Sequence, residues 1–210
     1  MRQKSTIKHR IVCASILGLC TILIIGFICL SQQQGLSSKL IRLHVIANSD
    51  TDLDQSIKDM VRDSINEEMT ILLADVKEIS EAEQILMENL SIIENNAKEV
   101  LLREGYTYQV CAELRNEIYS TRKYDTFNLP AGVYKSLKVV IGEGNGRNWW
   151  CVVFPPLCFA GAAEFEEAAE AAGLSENEIR LISEQNDTVV FRFKILELFE
   201  KLVNYIGLKK

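Results

Sequence analysis

Hydrophobic residues recur along this chain at two spacings, and the changes between them divide it into strands and helices. Leu40 to Ile46 alternates, with Ile41, Leu43 and Val45 on one side and Leu40, Arg42, His44 and Ile46 on the other, the period of a strand. After a turn of N-cap residues, Asn48-Ser49-Asp50-Thr51-Asp52, apolar positions fall at Leu53, Ile57, Met60, Val61, Ile65, Met69 and Leu72. That three-to-four spacing predicts an amphipathic helix. A second helix opens on Ser80-x-x-Glu83, a capping-box pattern, and runs through Ile85, Leu90, Ile93, Ala97 and Leu101 to Gly105. The two helices read as antiparallel neighbours.

Alternation then returns. Tyr106 to Leu114 reads as a half-buried antiparallel strand, Arg115-Asn116-Glu117 as a turn, and Ile118 to Tyr124 as the next strand. Pro130-Ala131-Gly132 turns the chain into Tyr134–Ile141. Trp149–Phe154 is apolar on both faces, which predicts a central strand, and Pro155-Pro156 ends it because proline cannot donate to a ladder. Helical spacing resumes over Ala162–Ala172, after Ser175-x-x-Glu178, and from about Phe193 with Ile195, Leu198, Phe199, Leu202 and Ile206. The order β-αα-ββββ-ααα predicts an α+β fold, a mainly antiparallel sheet of about four to five strands packed with helices.

The start of the chain adds a compartment. Met1 to Arg10 carries Arg2, Lys4, Lys8 and Arg10 and no acid, and Ile11 to Leu30 carries no charge. Twenty residues at 1.5 Å each span the roughly 30 Å hydrocarbon core, and the basic flank predicts a cytoplasmic N-terminus with the rest exported. Phe27-Ile28-Cys29-Leu30-Ser31 is a poor cleavage site, which favours an uncleaved anchor; cleavage near Ser31 is the alternative. Residues 1–30 are thus read as signal peptide or anchor, 31–38 as a polar linker, and 39–210 as one exported domain with a real core. Of the 23 basic residues four precede Ile11, leaving 19 against 29 acids in the exported part. That acidic balance argues against nucleic acid or anionic lipid as partner.

Three of the six cysteines (Cys13, Cys20, Cys29) lie in the apolar span, so there is no disulfide framework. A single bond between Cys151 and Cys158 and a fully reduced set with Cys111 are both open.

Candidate chemistry is sparse. Asp50-Thr51-Asp52-Leu53-Asp54 invites a calcium reading, but an EF-hand loop begun at Asp50 needs glycine where Gln55 stands and glutamate where Val61 stands. Acids there suit the positive end of a helix dipole. His44, the one histidine of the exported part, could serve a hydrolase with Cys151, Cys158 or Ser49, yet no nucleophile-elbow or cysteine-protease signature accompanies it. One histidine and three scattered cysteines do not make a zinc site. Gly142-Glu143-Gly144-Asn145-Gly146 resembles a phosphate loop, but it runs from strand to strand and carries an acid, so it reads as a hairpin turn. No catalytic, cofactor-binding or metal-binding residues are assigned. Trp149 and Trp150, being consecutive in a strand, must point to opposite faces. Either both pack internally, or one joins the turn in a recognition surface made of Gly144, Asn145, Arg147, Asn148, Trp149 and Trp150.

Three stretches are specific in their wording: IRLHVIANSD, then DQSIKDMVRD, then LPAGVYKSLKVVIGEGNGRNWWCVVFPPLC. Over about residues 39–160 the chain resembles the stage II sporulation protein R family. The resemblance implies a protein made in the forespore and exported into the space between the two membranes of the sporangium. There it would activate a membrane-embedded aspartic protease of the mother cell, which removes the pro-sequence of sigma-E. It implies a ligand and not an enzyme, and it brings no established site residues to carry over. The competing readings are an exported hydrolase using His44 with Cys151 or Cys158, and a structural envelope protein.

Overall fold

A computed structural model describes residues 33–158 and 162–183, with 13–18, 20, 21, 24 and 31 before them. Most of the apolar stretch Ile11–Leu30 and the whole helix expected from Phe193 lie outside the described residues. Among the described residues no helix is long and apolar enough to cross a membrane. The fold is α+β: a four-stranded sheet packs against helices, and a separate two-stranded ribbon lies over it.

The first strand, β1 (Ile41–Ile46), lies in the sheet interior. It pairs in parallel with β5 (Gly132–Ile141) and antiparallel with β6 (Asn148–Phe154), while β2 (Val110–Tyr119) pairs antiparallel with β5. Register puts Leu43, Leu137, Leu114 and Cys151 on one face, with Val45, Val139, Ala112 and Trp149 beside them. Three helices cover that face: α1 (Asp52–Leu72), α2 (Ile79–Glu88) and α3 (Leu90–Arg103). Helix α1 starts where the Thr51 hydroxyl accepts the Asp54 N–H, and it buries Ile57, Val61, Ile65 and Met69, the predicted stripe. From α3, Glu94 accepts the Ala112 N–H (2.9 Å), which covers part of the exposed edge of β2.

The opposite face is covered over only half its length. The ribbon β3 (Arg122–Lys123) and β4 (Asn128–Leu129) folds over it, stacking Tyr124 on Phe127 and Phe127 on Phe165 of α4 (Ala162–Ala171). Helix α5 (Glu176–Ser183) follows and is joined back to the domain where Lys39 meets Glu178 at 2.7 Å. Beneath the ribbon lies Arg42, fully buried, its guanidinium 3.8 Å from the Tyr119 ring centroid and 5.2 Å from that of Tyr134. It donates to the Tyr124 hydroxyl, so aromatic faces stand in for a carboxylate counterion.

Several sequence expectations need correction. The second helix is two, because Asn89 turns its side-chain amide onto the Ile85 carbonyl (2.7 Å) and ends one helix as it begins the next. The cap of α2 is Glu78 with no side-chain bond, so the Ser80 capping box does not form. Arg115-Asn116-Glu117 is not a turn: all ten residues of β2 pair with β5, and these three are polar because that end of the strand faces water. Trp149–Phe154 is not central but an edge strand. It is apolar on both faces because the chain after it folds back, the Leu157 N–H donating to the Val152 carbonyl (3.1 Å). The polar stretch before Lys39 is packed, with Leu36 fully buried and Gln33 donating to the Ala131 carbonyl.

Candidate functional site

The turn after β5 is docked onto the loop that leads from β1 into α1. Asn48 lies at the centre: its Oδ1 accepts the Glu143 N–H (3.0 Å), its backbone carbonyl accepts the Asn145 N–H (3.1 Å), and its Nδ2 donates to Asp54 (2.8 Å). Asp54 also accepts the Ser49 hydroxyl at 2.5 Å. Burial raises its carboxyl pKa, but hydrogen bonds from Ser49, Asn48, Tyr108 and Thr51 outweigh that and bring it below the ordinary 3.8. The Gly146 N–H donates to the Ala47 carbonyl (2.9 Å), and the Arg147 N–H to Asp50 Oδ1 (2.6 Å). Glycine is required at two of these positions. A Cβ on Gly142, whose φ is +59°, would lie 2.2 Å from Asn48 Oδ1, and one on Gly146 would lie 2.2 Å from the Ser49 carbonyl oxygen. The turn is thus a latch that ties two distant segments.

Of the residues predicted for a recognition surface, Gly144 and Asn145 spend their backbone N–H groups within this latch. Their neighbour Arg147 extends its side chain to water, with Nε 3.8 Å from Asp50 and both side chains about two-thirds exposed (65% and 66%), an ion pair of little energetic weight. Trp149 and Trp150 do point to opposite faces. Trp149 lies under Arg62 of α1, the guanidinium 4.2 Å from its ring.

Trp150 faces the uncovered half of the other side. Its ring stacks on His44, centroids 5.4 Å apart, and the Arg122 guanidinium carbon lies 3.7 Å over it. His44 is held at both nitrogens, Nδ1 against Glu117 Oε2 (2.9 Å) and Nε2 against Asn148 Oδ1 (2.9 Å). Bonded at both nitrogens, the ring is fixed in orientation. Glu117 also accepts the Tyr119 hydroxyl (3.1 Å). Burial raises its pKa, but the bonds from His44, Ser136 and Tyr119 and the charge of His44 hold it below the usual glutamate value. Together these side chains border an open groove of about 440 Å³ at the corner where β2 leads into β3.

Comparison with known proteins now bears on the same residues. The family model for stage II sporulation protein R matches residues 37–164. The chain belongs to the stage II sporulation protein R family. It is 38% identical over 130 residues to the stage II sporulation protein R of Bacillus subtilis (strain 168), a stretch that covers 62% of this chain and 58% of that relative. No solved structure matches the chain. The family match takes in both halves of the latch, both tryptophans and the whole sheet, and stops short of α5.

Neither Cys151 nor Cys158 meets His44. Cys151 and Cys158 are bonded to each other, their Cα atoms 5.1 Å apart, and Cys151 shares a face with Leu43, opposite His44. The hydrolase pairing of His44 with either cysteine is therefore not assembled. Cys111 is free and exposed. Among the described residues no three His, Cys, Asp or Glu side chains are grouped to hold a metal ion. Sequence reasoning missed Asn48, Asp54, Glu117 and Arg122. For the first two a signal existed: two more polar residues than one helix cap needs. For Glu117 and Arg122 it did not: register aligns His44 with Lys138 and Glu113, whereas Glu117 reaches His44, and Arg122 reaches Trp150, only by their side chains.

Proposed function

We propose that this chain is an exported signalling protein of sporulation that activates a membrane-embedded aspartic protease, leading to processing of pro-sigma-E in the mother cell. It would act from the forespore side, in the intermembrane space, either tethered by Met1–Leu30 or released by cleavage. The observation that carries the reading is that two stretches within the family match, around Asn48 and around Trp149, fold into one surface unit. That unit joins a rigid latch to an aromatic and cationic face, the composition of protein-recognition hot spots. The basic start and uncharged twenty-residue stretch support export.

The test is co-expression of the full chain with the protease and pro-sigma-E, scoring cleavage. Cleavage that depends on the chain is expected; none sinks the reading. The double change Arg147→Ala and Asn148→Ala spares the backbone bonds of the latch. It should remove cleavage while the protein accumulates folded, and loss of folding would return both residues to a structural role.

A further inference from the structure

We propose that the groove beside Trp150 seats an extended, acidic segment of the partner protein, with Arg122 taking a carboxylate from it. The inference rests on the signalling reading above and says which face does the binding.

Charge is distributed unevenly in this chain. Beyond Leu30 acids exceed bases by 29 to 19, yet the uncovered half of the sheet runs the other way. There Arg115, Arg122 and Lys138 face Glu113 and Glu117. Glu113 is shared by Arg115 (3.1 Å) and Lys138 (3.8 Å), and Glu117 is engaged by His44. Arg122 is left over: among the described residues no carboxylate pairs with it, and its plane lies on the Trp150 ring. A guanidinium stacked in this way keeps its N–H edge free for bidentate recognition of a carboxylate. Stacking also removes rotamer freedom in advance, so less is lost on binding.

The remaining walls suit a peptide. The groove is open, about 440 Å³, and lined in part by the exposed Ser120 and by Arg115. A chain crossing it can lay an apolar side chain on Trp150 while an Asp or Glu meets Arg122. Nucleic acid is disfavoured, because a single unpaired guanidinium does not neutralise a run of phosphates.

The test uses the full chain in the cleavage assay with Arg122→Glu, and with p-benzoylphenylalanine placed at Ser120 for photocrosslinking. Reversing the charge should lower cleavage about tenfold or more, as expected for loss of a charge-assisted bidentate contact, with an unchanged urea midpoint. The crosslink should map to a stretch of the partner that carries Asp or Glu, and changing that acid to Arg should restore the Arg122→Glu chain. If the unaltered chain drives no cleavage, the signalling reading fails. If the unaltered chain works and Arg122→Glu works equally, or the crosslink maps to a stretch without an acid, the groove assignment is overturned while the signalling reading stands. Should Arg122→Glu not fold, the crosslink alone decides.

Discussion

Asp54→Ala is the sharpest probe of the latch. The carboxylate is buried, and the largest of its side-chain hydrogen bonds come from Ser49 at 2.5 Å and Asn48 at 2.8 Å. Hydrogen bonds to a charged group contribute roughly 1.5–3 kcal/mol each. Both donors share one oxygen and Ser49 is only half-buried, so water replaces part of the loss and the low end applies. An acid in the first turn of α1 adds roughly 0.3–1 kcal/mol. Asp54→Ala should therefore cost about 3–4 kcal/mol, a large part of the roughly 5–15 kcal/mol by which a domain is stable. Asp54→Asn keeps the shape and one acceptor and should cost about half as much. The folded-state pKa of Asp54 lies below 3.8, so its contribution is fully present above that value and is lost as pH falls through the lower folded value. Urea unfolding of the full chain in detergent, followed by tryptophan fluorescence, measures this. The gap between native and Asp54→Ala chains should hold constant from about pH 5 to 8 and close below about 3.8. Glu117 and Glu178 are also held below the usual glutamate value, so both chains weaken in acid and only the difference isolates Asp54. A gap that persists undiminished at about pH 3, or one below about 1 kcal/mol at pH 7, refutes the latch argument.

Two further predictions concern the same region. Gly146→Ala puts a methyl group against the Ser49 carbonyl and should cost about 2–3 kcal/mol, whereas Gly105→Ala, with φ +82° and open space around it, should cost only the backbone strain of about 1 kcal/mol; equal urea midpoints would count against the docked turn. Replacing Cys151 and Cys158 with serine opens a loop whose ends are seven positions apart, and loop entropy sets the loss at about 2.5 kcal/mol. Reduction of the native chain should reproduce that shift, and no shift with either treatment would show the bond contributes nothing.

Period alone revealed α1, which buries one face and wets the other, and β1, whose Ile41, Leu43 and Val45 alternate with Arg42, His44 and Ile46, the more polar set. It failed where a side chain or a distant segment decides. Asn89 sits on a helical pattern that its own amide interrupts, and nothing in the spacing announces the break. Arg115-Asn116-Glu117 resembles a turn because three polar residues run together, but all three pair with β5, and Glu117 meets His44 across the face. The apolar run of β6 is indistinguishable from a central strand until the Pro155-Pro156 return is seen to cover its edge. The opposed tryptophans were legible for the plain reason that strand period is two. Their neighbours were not, since register sets Glu113 in line with His44 by way of Lys138, and it is Glu117, further along β2, whose side chain reaches the ring.

The latch also moves the weight of recognition within the glycine-rich segment. Gly142 to Arg147 is unusual in wording because its backbone must lie against Asn48 and Ser49, and most of its N–H groups are spent there. What the turn leaves for a partner is little more than the exposed side chains of Glu143, Asn145 and Arg147, while its main effect is to hold Asn148 and Trp150 in place. Asn148 steadies His44, His44 steadies Glu117 and backs the Trp150 ring, and that ring carries Arg122. A chain of contacts so fully bonded before binding loses little freedom on meeting a partner. For that reason the groove face, where Arg122 pairs with no carboxylate among the described residues, is the seat we propose for a partner, in preference to the turn that supports it.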